Sequence, residues 1–174
     1  MIQQQFKKNI IFFATIILIV ICCITTISCN RTQFGKKAQD TIVTHEFPNT
    51  NWAFEERVLT FGFDNSDSTA NYQIGFILNY DKQHVTMDEV PITVTLEAPD
   101  GMETFVTSTM RLKEDNPEYM KEVNGMTELE VVAFPKKNLN RKGLYNVKIY
   151  RKADKADNYG FNKLSLRVSK LKND

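Results

Sequence analysis

The chain has 174 residues, 42% of them apolar and 25% charged, with a net charge of +1. That length bounds it to about one domain with one core, and a net charge so small gives no overall field to draw it onto polyanions. All three cysteines fall within the first 29 residues, which excludes a disulfide framework for the rest.

Lys7 and Lys8 form a short positive start, and no charged residue follows from Ile10 to Ile27. Those residues would rise roughly 27 Å as a helix, close to the hydrocarbon thickness of a bilayer. Length therefore leaves two readings open, an export signal and an uncleaved anchor. The end of the segment favours the signal. Thr25, Thr26 and Ser28 make it smaller and more polar before Cys29, as a processing site requires. Thr26-Ile27-Ser28-Cys29 resembles a bacterial lipobox, with the small residue directly before the cysteine that becomes lipidated; Cys22 and Cys23 have no such residue before them. Residues 1–28 then read as a cleaved lipoprotein signal peptide and Cys29 as the acylated first residue. Its acyl chains, at about 0.8 kcal/mol per buried CH₂, would hold it on the membrane. Residues 29–40 are polar and aperiodic, a flexible tether.

Residues 41–174 read as the folded domain, and the pattern there is almost entirely of period two. Stretches 42–47 and 103–110 are further strands of less defined register. Leu59, Phe61 and Phe63 share one face, as do Tyr72, Ile74, Phe76, Leu78 and Tyr80. Ile92, Val94 and Leu96 repeat the pattern, then Leu129, Val131 and Ala133, then Tyr145, Val147 and Ile149, and last Leu164, Leu166 and Val168. Asp64–Ser68, Ala98-Pro-Asp-Gly101 and Asn140–Gly143 are turns. Residues 113–126 are the least strand-like and are expected to hold one helical turn or a loop. About eight strands with one apolar face each predict an all-β, antiparallel β-sandwich, and the polar second face argues against a parallel sheet.

Charge is unevenly placed. Residues 40–135 carry 18 acidic and 5 basic side chains, and residues 136–174 carry 12 basic and 3 acidic ones. The expectation is that the two sets neighbour each other on one domain, with no nucleic-acid partner, since the basic residues show no regular interleaving with aromatics.

Reaction chemistry is thin. His45 and His84 stand in no metal-ligand spacing, no GxSxG elbow occurs, and Cys29 is committed to lipid. Glu55–Glu56, Asp88–Glu89 and Glu114–Asp115 are adjacent acidic pairs, as expected of solvated strand ends and not of a facing glycosidase pair. The Asp64–Ser68 turn could offer oxygens to Ca²⁺ but lacks the rest of a binding loop. No metal, no cofactor and no catalytic residue is therefore assigned. Trp52, the only tryptophan, either plugs one end of the core or, beside tyrosines, offers a platform for sugars or partners. Trp52, Tyr72 and Tyr80 are the candidates for a contact surface, and an exposed Trp52 is what a glycan-binding lipoprotein would require.

Taken in order, the lipobox, the tether, Pro48 with Trp52, the strand Tyr72–Tyr80 (YQIGFILNY), the turn Ala98–Gly101, the Gly143-Leu-Tyr145 strand and Leu164–Val168 resemble the gliding-motility lipoprotein GldH family of the Bacteroidota. The middle departs from the family, reading NPEYMKEVNGMTELEV with only Gly125, and Asn79-Tyr80-Asp81 stands where the family has an arginine. The resemblance implies a non-catalytic outer-membrane lipoprotein acting through an envelope protein partner. Members of this phylum whose lipoproteins reach the surface carry acidic residues after the lipidated cysteine. Here Asn30-Arg31-Thr32-Gln33 follows, which by that resemblance implies a periplasm-facing domain. No small-molecule ligand is assigned.

Overall fold

The computed structural model describes residues 40–152 and 157–172, which form an antiparallel β-sandwich. The strands are β1 (Thr41–Glu46), β2 (Asn51–Trp52), β3 (Val58–Asn65), β4 (Asn71–Tyr80), β5 (Glu89–Glu97), β6 (Glu103–Arg111), β7 (Met120–Val123), β8 (Met126–Asn138), β9 (Gly143–Arg151), β10 (Asn158–Tyr159) and β11 (Phe161–Lys170). One sheet runs β1-β11-β4-β8-β7 and the other β3-β9-β5-β6, while β10 and β2 make a separate two-stranded ribbon. The proposed signal peptide, Cys29 and the tether through residue 39 lie outside the described residues. Among those described, no helix is long and apolar enough to cross a membrane.

Each of the six alternating faces read from the sequence points into one shared core. Leu59, Phe61 and Phe63 on β3, Ile92, Val94 and Leu96 on β5, and Tyr145, Val147 and Ile149 on β9 meet Ile74, Phe76 and Leu78 on β4, Leu129 on β8, and Leu164 and Leu166 on β11. The two layers touch directly where Phe61 lies 6.3 Å from Phe76. This is what period two requires: alternate side chains leave opposite sides of a strand, so one apolar set fixes which side is covered.

The turns use the chemistry their residues offer. Ala98–Met102 closes the β5–β6 hairpin, with the Gly101 N–H donating to Ala98 and Gly101 at φ +81°. Before β9, the Tyr145 hydroxyl donates back to the Arg141 carbonyl at 3.2 Å, in the manner of a tyrosine corner. Residues 113–126 differ in part from expectation. They hold a single turn at 116–120, where the Tyr119 and Met120 N–H groups donate to the Asn116 carbonyl, and then a strand, since β7 pairs with the start of β8 through the two-residue turn Asn124-Gly125, at φ 53° and 77°. Asn-Gly is the strongest short hairpin signal because both residues tolerate positive φ, and that signal was present in the sequence.

The charge halves do neighbour each other. β9 lies between β3 and β5, and β11 between β1 and β4, so basic late strands enter acidic surroundings. Lys148 bridges Glu97 and Glu103, Arg167 pairs with Glu130, Lys170 with Asp67, and Arg141 with Asp100.

Candidate functional site

The three aromatic residues expected at a contact surface do not form one. Trp52 is fully buried at one end of the core. Its ring stacks on Phe47 at 5.1 Å, meets Phe161 edge-on at 5.9 Å, and carries the Arg151 guanidinium over its face at 5.4 Å. The indole N–H donates to the Glu56 carbonyl at 2.9 Å. Tyr80 is equally buried, donating its hydroxyl to the Leu112 carbonyl at 2.6 Å. Burial, with a smaller contribution from the Asp115 charge, pushes its hydroxyl up to about 12. Tyr72 is half-buried and donates to Asn65 Oδ1 at 2.9 Å; burial raises it as well. The physical reason is the alternation itself. Tyr72 and Tyr80 lie in step with Ile74, Phe76 and Leu78 on β4, so the side that buries those residues takes the tyrosines with it. The glycan platform that rested on an exposed Trp52 is overturned with them.

Most of the other singled-out groups have ordinary partners, although the buried His45 Nε2 and Glu56 Oε2 make no hydrogen bond. His45 Nε2 faces Glu56 Oε2 at 3.7 Å, and His84 Nδ1 lies 2.7 Å from Asp81 Oδ2. Asp88 pairs with Lys113, Glu114 with Arg111 and Asp115 with Lys82. In the Asp64–Ser68 turn, Asp67 accepts from Lys170 and from both the N–H and the hydroxyl of Thr69. Those hydrogen bonds, led by Lys170, hold its carboxyl well below the usual range. Among the described residues no group of three or more His, Cys, Asp or Glu is placed to hold a metal ion.

The two outer faces differ in a way the sequence reading missed. On the five-stranded sheet most outward side chains satisfy each other, with Ile42 on the edge strand β1 exposed: Thr44 bonds Ser165 at 2.8 Å, Asn162 donates to Asn79, Arg167 pairs with Glu130 and Lys121 with Glu128. The four-stranded sheet instead presents large apolar side chains to solvent. Phe105 is 71% exposed, Leu144 54%, Val58 43% and Tyr150 38%. Register sets them in rows. Val58 stands opposite Tyr150, which stands opposite Thr93, then Thr107; in the next row Thr60, Lys148, Thr95 and Phe105 follow one another. Lys148, held protonated by its bonds to Glu97 and Glu103, puts a paired charge at the centre. Such a face is flat, rich in threonine and spotted with aromatic and aliphatic groups that share no core contact, the composition of an interaction patch. The available signal was the apolar identity of Val58, Phe105, Leu144 and Tyr150 at positions where alternation calls for polar residues.

Beside this face, the flank between β6 and β8 is bridged at one end, where Lys137 donates to the Thr104 hydroxyl at 3.1 Å, and open at the other. A groove of about 390 Å³ runs there, lined by Ser108, Thr109 and Arg111 on one side and Glu130, Val131 and Val132 on the other, with Tyr119 and Met120 at one end.

No protein-family model and no curated protein matches the chain. Among solved structures, the fold is similar to CBM28, a carbohydrate-binding module specific for non-crystalline cellulose, at TM-score 0.47 and 16% identity over 74% of this chain and 73% of that one. It is similar to dimeric latent PorU from Porphyromonas gingivalis at TM-score 0.38 and 10% identity, over 78% of this chain and 13% of that one. It is also similar to the VP2 subviral particle of infectious bursal disease virus at TM-score 0.36 and 10% identity, over 76% of this chain and 34% of that one. At such identities the likeness is one of fold alone.

Proposed function

We propose that this chain is an envelope lipoprotein of the gliding-motility GldH type, anchored to the outer membrane through Cys29, facing the periplasm and without catalytic activity. Its β-sandwich works by protein–protein contact through the outer face of the four-stranded sheet. The observation that carries the contact reading is the exposed set Val58, Phe105, Leu144 and Tyr150 on one face, against a mostly polar, internally paired face on the other sheet, where Ile42 is exposed on the edge strand β1. The lipobox-like Thr26–Cys29 and the order of motifs along the chain support the anchoring and the family. The acid-free residues after Cys29 support the periplasmic side.

Two measurements test this. Radiolabelled palmitate is expected to enter the wild-type protein and not Cys29→Ala; label persisting in the variant would refute the lipid anchor. In a pull-down from detergent-solubilised envelope, the wild type is expected to recover a specific protein that the double variant Phe105→Asp/Tyr150→Asp loses at least ten-fold. Phe105 points into solvent and Tyr150 is partly covered on the same outer face, so the variant should lose no more than about 2 kcal/mol, the strand preference of two positions. Equal recovery by a folded double variant would place the contact elsewhere.

A further inference from the structure

We propose that the outer edge of β6 pairs with the same edge of a second copy of this chain, antiparallel, about a two-fold axis at Thr107. Independently of what the outer face binds, this would join the two four-stranded sheets into one continuous sheet.

The hydrogen-bond pattern shows which backbone groups are free. The Leu112 N–H donates to the Asp88 carbonyl, and the Met102 carbonyl accepts from Ala98. Between these points β6 keeps one unbroken register with β5, from Glu89↔Arg111 to Glu97↔Glu103. Backbone direction alternates along a strand, so the even-numbered residues bond β5. Glu103, Phe105, Thr107, Thr109 and Arg111 aim their N–H and C=O groups outward, where no described strand follows.

β6 also lacks the usual protection of an edge. It is nine residues long and contains no Pro, Gly or Lys, and the groove beside Ser108–Arg111 leaves that half of the flank open, while Lys137 of β8 reaches Thr104 at the other end. Strands of this kind are templates for pairing. The other edge strands are less suited. β1 has six residues and β7 four. β3 carries Gly62 and Asp64 and no basic residue that could face Asp64 in a two-fold pairing.

Charge selects the occupant and the register. With Thr107 opposite itself, Glu103 faces Arg111 of the second copy at both ends of the ladder, and Phe105 faces Thr109. The odd-numbered residues then face each other as hydrogen-bonded pairs, alternating with non-bonded pairs of even-numbered ones, which gives about ten backbone hydrogen bonds, two per bonded pair. An isologous contact of this kind closes on itself and stops at two copies. The present partners of these ends exchange at small cost: Glu114 and Arg111 are both exposed, and Lys148, which is partly buried, keeps Glu97 when Glu103 turns away.

The test is the protein mass of the full chain in detergent, by size exclusion with light scattering. The wild type is expected to run as two copies and Thr107→Pro as one. Proline at 107 removes an N–H that serves no bond within the fold, so circular dichroism should be unchanged. Glu103→Arg alone should weaken the dimer roughly ten-fold by opposing two arginines at each end, and Glu103→Arg/Arg111→Glu should restore it. A monomeric wild type overturns the proposal, including one in which Thr107→Pro abolishes capture of a strand from another protein. So does a dimer that survives Thr107→Pro. If that variant misfolds, failure of the charge swap to restore what Glu103→Arg weakened overturns the pairing.

Discussion

Replacing Trp52 with alanine should lower the unfolding free energy by about 4 kcal/mol, a large share of the roughly 5–15 kcal/mol that holds a domain together. The ring is fully buried between Phe47, Phe161 and the Arg151 guanidinium. Truncation leaves a void that surrounding strands cannot close, because Phe47 and Phe161 are themselves held by the backbone bond from the Phe47 N–H to the Asn162 carbonyl. The Glu56 carbonyl also loses its indole donor. Arg151 is 3% exposed, and with the ring gone its charge faces a void, where an unpaired cation is costly. Urea titration followed by circular dichroism measures the loss, since Trp52 is the only tryptophan and its fluorescence disappears with it. A loss below about 0.5 kcal/mol would be the result for an exposed contact residue and would return Trp52 to the surface.

The second large effect is expected at Gly75. It lies on β4, which is bonded on both sides, to β11 and β8. At Gly75 the pairing with β8 changes register, and a Cβ built there would sit 2.7 Å from the Val131 carbonyl oxygen and 3.3 Å from Val132 Cα. Both obstacles are backbone, so the strand must move as a unit. Gly75→Ala should therefore cost about 3 kcal/mol, the upper end for an overpacked site. Gly62→Ala is the matched control. Gly62 also lies in a strand, but its Cβ would meet only side-chain atoms on the outer face, Leu144 Cδ1 at 3.3 Å, which can turn aside, and Asn146 Oδ1 at 3.7 Å. Its midpoint of unfolding should move by less than about 0.5 kcal/mol equivalent. Equal losses at the two positions would show that the close approach of β4 and β8 is not what excludes a side chain at Gly75.

The candidate surface was partly legible. Tyr72 and Tyr80 could have been placed inside from sequence alone, since both keep step with Ile74, Phe76 and Leu78. Aromatic identity suggested recognition, but the period of two outranks it, because a strand cannot turn single residues against its pleat. Val58, Leu144, Tyr150 and Phe105 were visible as apolar residues out of phase. That they share one face depends on β9 lying between β3 and β5, and no local pattern states that order. Asn124-Gly125 marks the opposite case, a local turn signal strong enough to define a hairpin even where the flanking residues carry little alternation.

The sequence by itself determined six of the long strands with their buried sides, most of the turns and hence the sandwich, because each follows from alternation and backbone preference over a few residues, whereas the short strands β2, β7 and β10 were not legible there by alternation. It also placed the lipobox-like cysteine at residue 29. The tertiary structure decided which strands are neighbours, and through that the rest. It put the basic late strands among acidic ones, closed Trp52 behind Phe47 and Phe161, collected the apolar residues on one outer face and left the β6 edge open beside it. These depend on pairings between residues far apart in the chain, whose partners are chosen by how all the apolar faces close together and not by any stretch of sequence alone.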